Sequence, residues 1–424
     1  MKILVLGNTA KEHALLKWLC ESEEEKELFV YPGNPGMSEY AHIVKQMGDN
    51  KSAVIDCVKK NHIDLIVSST GRLIEEGINE DLKALGAEVI GPGRDAYTYE
   101  NLQTLRKRAS DYGIKTLEKA KIANTMEELE SALSQFKNRM VALKCVKGRG
   151  RDRCDTSSFE RAVEWAKNHI DNSPILIEEF IEGLTATATI LTDGTNYRLL
   201  PIACDYDRSK EDNEGSFSSG MGALAPLPLS KYTRDRVGEE VIKKMINGLK
   251  NDKIVYKGFM TFHLLITSSG DVYLLNMKTR LSDPSAAAML SLVKDDGVRE
   301  LKKAMQGKLE PVEFNIDNSN YALDVVIASL GYPDKDLICK EHIDKRMLSY
   351  ARESLSKDMS LFFGAVSEEG NEYYTNGGRP FTLVVKDSSI ERTNRKAYSF
   401  LYSLSDLFPG AWYRSDIGAN FFIF

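Results

Sequence analysis

At 424 residues the chain has room for about two to four domains of ordinary size. Its 42% hydrophobic and 28% charged residues exclude a disordered chain, and a net charge of −6 leaves no basic field to draw nucleic acid. There is no run of about 18 apolar residues, so no membrane span is expected. Met1 leads straight into a strand, without the apolar region and cleavage site of a signal peptide. Cys20, Cys57, Cys145, Cys154, Cys204 and Cys339 are scattered without a CxxC pair, which predicts reduced thiols, a cytoplasmic location and no structural zinc.

In chain order, residues 2–6 read as a strand, 12–22 as an amphipathic helix and 28–31 as a second strand. A helix over 52–61, a strand over 63–68, a helix over 78–85 and a strand over 87–90 follow. Strands alternating with helices imply βαβ units and a parallel sheet, whose ligands lie beyond the carboxyl ends of the strands. One helix is predicted over 97–112, and 114–180 repeat the alternation in a smaller unit. From Thr185 the pattern changes: 186–191, 197–202, 259–267 and 272–276 read as antiparallel strands, with a long helix over 231–250. Residues 211–222 have turn composition, and 310–318 read as a linker. Strands over 322–328, 361–366 and 381–385 mark a last lobe.

A colinear series of strings resembles the glycinamide ribonucleotide synthetases (phosphoribosylamine–glycine ligases) of the ATP-grasp superfamily. They are Ile3-Leu-Val-Leu-Gly-Asn with Glu12-His-Ala-Leu, Tyr31-Pro-Gly-Asn-Pro-Gly, Tyr112-Gly-Ile-Lys-Thr, Glu178-Glu-Phe-Ile-Glu-Gly and Asp205-Tyr-Asp-Arg. Gly220-Met-Gly-Ala, Tyr256-Lys-Gly-Phe, Arg280-Leu-Ser-Asp-Pro, Asp324-Val-Val, Gly331-Tyr-Pro, Asn376-Gly-Gly-Arg and Asp416-Ile-Gly complete the series. The resemblance implies an α/β fold class: an N-terminal parallel α/β domain over 1–95, a central ATP-grasp fold over 96–310 with a mobile subdomain at about 114–180, and a C-terminal mixed α+β lobe over 311–424. It implies ATP and magnesium as the family's cofactors. The reaction it implies activates the carboxylate of glycine as an acyl phosphate, which phosphoribosylamine then attacks. The expected partners are a sugar phosphate and an amino acid, with no nucleic acid and no membrane, and a protein partner if the chain is non-catalytic.

The resemblance places the sugar phosphate at Gly7, Asn8, Glu12, Asn34, Asn376, Gly377, Gly378 and Arg379. Glycines let backbone N–H groups approach a phosphate and arginine supplies a bidentate fork, although Gly33 and Gly377-Gly378 also read as plain turns. The family's Gly-Pro-Glu-like string after the third strand is Ser68-Ser-Thr-Gly-Arg-Leu here, without the carboxylate. The amino acid falls to Gly220, Met221, Gly222, Arg280 and Asp283. Asp283 has two readings, an ammonium ligand or the N-cap of a helix opened by Pro284. The loop Gly215-Ser-Phe-Ser-Ser replaces a Gly-Pro-Asn-Thr-Gly-like run.

ATP falls to Lys144, Lys147, Arg149, Glu178 and Glu179. The family's early lysine is Leu102 here, and the glycine-rich cover loop has become 145–154, with two glycines and four cations. That loop either grips phosphate or is a solvated hairpin tip. The family's metal string Glu-x-Asn-x-Arg reads Asn276-Met-Lys278-Thr-Arg280. Magnesium wants hard, preferably anionic oxygen ligands. With Asn276 and Lys278 at the altered metal positions, no bound metal is expected. The chain is then a divergent ligase of the purine-biosynthesis type, a non-catalytic relative that binds a sugar phosphate or a protein, or an ATP-grasp ligase with a changed substrate. His13 is expected to be structural.

Overall fold

The computed structural model describes residues 1–44, 50–136, 139–147, 152–334, 339–404 and 406–419. The first unit is a parallel sheet in the order His42–Ile43, Glu27–Pro32, Lys2–Gly7, Leu65–Ser68, Glu88–Ile90. Its strands are apolar runs because both faces are covered. Ile3 and Val5 join one core with Trp18 and Met289, while Leu4 and Leu6 join another with Val54 and Leu82.

The helix expected over 97–112 is broken. Arg94–Tyr97 and a 3₁₀ turn Thr98–Glu100 come first, and then Asn101 leaves helical geometry and caps Leu102–Asp111, accepting from the Gln103 and Thr104 N–H groups. Apolar periodicity runs through such a break, so it is invisible to pattern, whereas the competition between an Asn side chain and the backbone is local. The break leaves Glu100 free to point at another sheet.

Residues 120–179 form an antiparallel sheet in the order Ala120–Ala123, Ile175–Glu179, Val141–Cys145, Arg153–Thr156, packed on helices Met126–Gln135 and Phe159–Lys167. A second antiparallel sheet follows in the order Tyr197–Leu199, Leu184–Thr192, Gly258–Ile266, Val272–Lys278. Its inner face, with Ala186, Ala188, Phe262, Leu264 and Met277, packs under the helical stretch 231–251. The other face looks towards the smaller sheet.

A third sheet has the order Cys204–Asp205, Gly222–Ala225, Tyr321–Ile327, Phe381–Asp387, Met359–Phe363, so strands from before and after residue 310 share one ladder. Helix Ser285–Leu292 is buried almost all round between this sheet and helix Ala10–Cys20, which ties the last lobe to the first. No helix among the described residues is long and apolar enough to cross a membrane.

Candidate functional site

The two antiparallel sheets enclose a cleft of about 370 Å³. The smaller sheet contributes Ala142, Lys144 and Glu179, and the larger one Thr185, Leu265 and Leu275. In a strand, alternate residues share a face. Since Ala186, Phe262 and Leu264 are core, Thr185, Thr187, Thr261, His263 and Leu265 lie on the cleft face, with Asn276 and Lys278 paired opposite His263 and Thr261. The cleft is apolar at Leu265 and Leu275 and polar at Lys144, and the same face of the larger sheet continues beyond it to Asn276 and Lys278.

Lys144 Nζ lies 2.6 Å from Glu178 Oε2, and Arg106 donates to the other oxygen of the same carboxylate. Burial pushes the pKa of Glu178 up, but Lys144 and Arg106 outweigh it and hold the carboxyl below its ordinary range. Leu102, expected to stand at the family's lysine position, packs on Val146 and Leu176. Arg106 stands four residues further on, one turn along the same helical face. The sequence reading overlooked it, and the i, i+4 relation to Leu102 was the signal available. Glu179 accepts from the Lys119 N–H, Lys147 is exposed, and Arg149 lies outside the described residues.

At the far end the carboxylate of Glu100 accepts from the Thr279 N–H at 2.9 Å and from the Thr279 hydroxyl at 2.8 Å. Arg280 sits 2.5 Å from one of its oxygens and Lys278 3.4 Å from the other. Burial pushes Glu100 up, but Arg280, Lys278 and Thr279 together hold it below the usual carboxylate range. Glu100 is therefore the anion of this corner, and it belongs to the broken helix start that pattern reading concealed. Asn276 turns its Oδ1 towards the Met277 N–H. Beside it, His263 is held neutral, its pKa lowered to about 4 by burial and by Lys278. No group of three or more His, Cys, Asp or Glu side chains among the described residues is arranged to hold a metal.

A small lattice of contacts holds the smaller sheet down. Phe217 lies between two guanidinium groups, Arg208 at 3.5 Å and Arg153 at 4.7 Å from its ring centre. Asp155 bridges the same two arginines. Phe217 and Arg153 come from the two stretches expected to depart from the family pattern, and the structure brings them together.

Gly220 and Asp283, expected on the amino-acid side, are joined by Arg379, which was expected on the sugar-phosphate side. The Arg379 guanidinium donates to the Ser219 carbonyl at 2.7 Å and pairs with Asp283 at 2.9 Å. Gly220, at φ +102°, is required, since a Cβ there would meet the Pro284 ring at 2.3 Å. Met221 and Gly222 are buried beside it, Met221 in the core of the last lobe and Gly222 at the start of a strand. Asp283 does not cap helix Ser285–Leu292, whose cap residue Pro284 makes no side-chain bond. Two buried carboxylates lie close by. Burial and Asp207 raise Asp205 to about 7, and Asp324, which has no hydrogen-bond partner on either oxygen, is pushed well above its ordinary value by burial and by Asp283.

The remaining sugar-phosphate candidates are bound into structure. Asn34 is buried, donating to the Asn8 and Phe363 carbonyls and accepting from the Gly36 N–H. Glu12 accepts from the Thr9 N–H and hydroxyl and from Ser69, and pairs with Lys11. Its side chain occupies the space beside Gly7 that a Cβ would fill. His13 accepts the Phe363 N–H at 2.9 Å, a structural role as expected. Asn376 is exposed and bonded to Ser367, and Gly377 and Gly378 turn the chain with φ of 68° and 64°. Through Phe363 and the neighbouring Gly364, whose N–H donates to Pro380, the last lobe does fold back over the strand ends of the first sheet. The Arg379 side chain, however, turns to Asp283 rather than to Asn34.

Three family models match in chain order: the N domain of phosphoribosylglycinamide synthetase over residues 1–100, its ATP-grasp (A) domain over 103–286 and its C domain over 322–420. The phosphoribosylamine–glycine ligase of Clostridium acetobutylicum is 28% identical over 99% of this chain and all of its own length. That of Caldanaerobacter subterraneus is 26% identical over the same shares. The crystal structure of phosphoribosylamine–glycine ligase from Thermotoga maritima superposes with a TM-score of 0.79 at 24% identity, covering 98% of this chain and all of that one, which establishes the same fold. With an N-terminal parallel sheet, a central ATP-grasp region and a mixed last lobe all matched in order, the chain belongs to the phosphoribosylglycinamide synthetase family.

Proposed function

We propose that this chain is a divergent member that binds small phosphorylated and amino-acid-like ligands on the ligase scaffold, and that it does not run the family's magnesium-dependent ligation at an intact member's rate. The observation that carries this reading is the Lys278–Glu100–Arg280 cluster at the altered metal positions. A dication needs anionic oxygens, and here an ammonium and a neutral amide stand in their place while the one nearby carboxylate is already shared by two cations. The donor set does not fit magnesium, and the like charge of Lys278 repels it. The cleft does suit a nucleotide, with an apolar end for a base and Lys144 for a phosphate.

In this reading Lys144, Lys147 and Arg149 attract the phosphates, while Glu178 and Glu179 hold the cleft wall. Gly220, Met221, Gly222, Arg280 and Asp283 form the amino-acid side, supported by the convergence of Gly220, Asp283 and Arg379. Gly7, Asn8, Glu12, Asn34 and 376–379 form the sugar-phosphate side. A cytoplasmic location goes with it, supported by six free thiols.

Phosphoryl transfer depends on positioning and charge neutralisation, and loss of one electrostatic stabiliser costs roughly 10²–10³ in rate. Leu102, the 147–153 loop and Asn276/Lys278 all depart at one phosphate chain. The test is ATP-to-ADP turnover with phosphoribosylamine and glycine, run with magnesium and with EDTA. Turnover at a family rate with magnesium sinks the reading. Turnover that survives EDTA identifies a second reading, a ligase whose cations replace the metal, which the cationic excess around Glu100 and Glu178 favours.

A further inference from the structure

We propose that the cleft takes a nucleoside polyphosphate free of divalent cation, with the Lys278 ammonium in the metal's place, so that magnesium weakens binding instead of supporting it. This rests on the reading of the cleft as a nucleotide site given above.

Two charge clusters lie at the cleft and beside it: Lys144 lines the cleft, and Lys278 stands further along the same sheet face. Lys278 and Arg280 share Glu100, and Lys144 and Arg106 share Glu178, so each cluster holds two cations on one anion and carries one positive charge in excess. Glu178 is buried and the Glu100 side chain is only 7% exposed, so each holds its two cations in place while cancelling one of the two charges. Lys278 keeps 22% of its side chain exposed and is open to a ligand. His263, paired in register with Asn276 on the same face, is neutral and can offer an N–H to a phosphate oxygen without adding charge. Its Nδ1 lies 3.4 Å from the Thr187 hydroxyl, which itself donates to Asp205.

The geometry fixes the kind of ligand. From Leu265 to Thr261, opposite Lys278, is four residues of strand, about 14 Å at 3.4 Å each. Leu117, Phe180, Leu265 and Leu275 make one end apolar. A ligand that fills this span has a flat ring at one end and several negative charges at the other. A free triphosphate meets two cationic clusters. The same triphosphate wrapped around magnesium has lost two negative charges and must bring a hydrated dication against an ammonium that has no oxygen to offer it.

The test measures binding of ATP and ADP by calorimetry in EDTA and again in excess magnesium. Wild type is expected to bind ATP in EDTA and to lose at least severalfold in affinity with magnesium. Lys278→Ala is expected to weaken ATP binding in EDTA about tenfold or more, and Glu100 keeps Arg280 as partner in that variant. The double variant Asn276→Glu/Lys278→Asn restores oxygen ligands and is expected to invert the effect, binding more tightly with magnesium than without. Inversion of sign cannot come from misfolding. Tighter binding of ATP by wild type in magnesium overturns the proposal, and so does an unchanged affinity in Lys278→Ala or no binding in either condition. A reversed magnesium effect or an unchanged Lys278→Ala affinity overturns this proposal alone, whereas the loss of ligase activity in the functional reading is judged separately, by magnesium-dependent turnover.

Discussion

The junction around His13 and Asn34 and the cleft around Glu100 and Glu178 are both rich in buried polar groups, yet they use them in opposite ways. At the junction each side chain answers a backbone group: His13 takes the Phe363 N–H, and Asn34 gives to the Phe363 carbonyl and takes the Gly36 N–H. The groups are neutral and their demands are met, so the junction fastens the first lobe to the last and holds little capacity for a ligand. In the cleft, side chains answer other side chains, and cations outnumber carboxylates in both clusters. A satisfied polar network rigidifies, whereas an unbalanced one invites a counter-charge.

The sharpest way to break this contrast is Glu100→Gln. It leaves the half-buried Lys278 and Arg280 together without an anion, and the loss of one partner of a fully buried pair, about 3–5 kcal/mol, sets the upper bound. Urea denaturation measures it, and a loss below about 1 kcal/mol would mean that the cations are hydrated and the cluster holds no excess charge. The junction should be less sensitive. His13→Leu strands one buried N–H and should lose about 1–3 kcal/mol. It should also change the acid side of the stability profile. The folded state holds His13 neutral, its pKa moved from 6.5 to about 3 by burial and by Arg352. The unfolded chain therefore binds the proton first, and stability is full above pH 6.5 and is lost as pH falls towards about 3. The variant should lose stability less steeply over that window in thermal melts across pH.

Asp205 works in the other direction. Its folded pKa is raised from 3.8 to about 7, so its contribution is present below 3.8 and is lost as pH rises through that window. Asp205→Asn is expected to raise the melting temperature at pH 8 and to leave it unchanged near pH 4. An equal gain at both values would point to packing instead of charge. The smallest effect belongs to the exposed Lys147: Lys147→Ala should shift stability by no more than about 0.5 kcal/mol, while lowering the affinity for ATP in EDTA if the 147–153 loop attracts phosphate.

Much of the architecture was legible in the sequence because burial imposes periodicity. The apolar runs at 2–6, 28–31 and 63–68 gave the parallel strands, and those at 186–191 and 259–267 gave the antiparallel ones, which the structure extends to 184–192 and places at 258–266. Leu102, Asn276 and Lys278 were equally visible as candidates for departure, since each is a residue type in a recognisable string. Two local readings failed for one reason. The break at Asn101 and the uncapped Asp283 depend on what a single side chain bonds, and that choice is settled by neighbours the string does not contain.

The sequence by itself determined the order of the elements and the family, and it raised the expectation of departures at Leu102, Asn276 and Lys278. Only the tertiary structure decided what those departures do. It set Glu100 against Lys278, Arg106 beside Lys144, Phe217 between Arg153 and Arg208, and Arg379 on Asp283 instead of near Asn34. Hydrophobic burial repeats along the chain with the period of a helix or a strand, and so it can be read in one dimension. Ion pairing has no period and depends on a few ångströms between residues far apart in sequence, and only the packed sheets fix that distance.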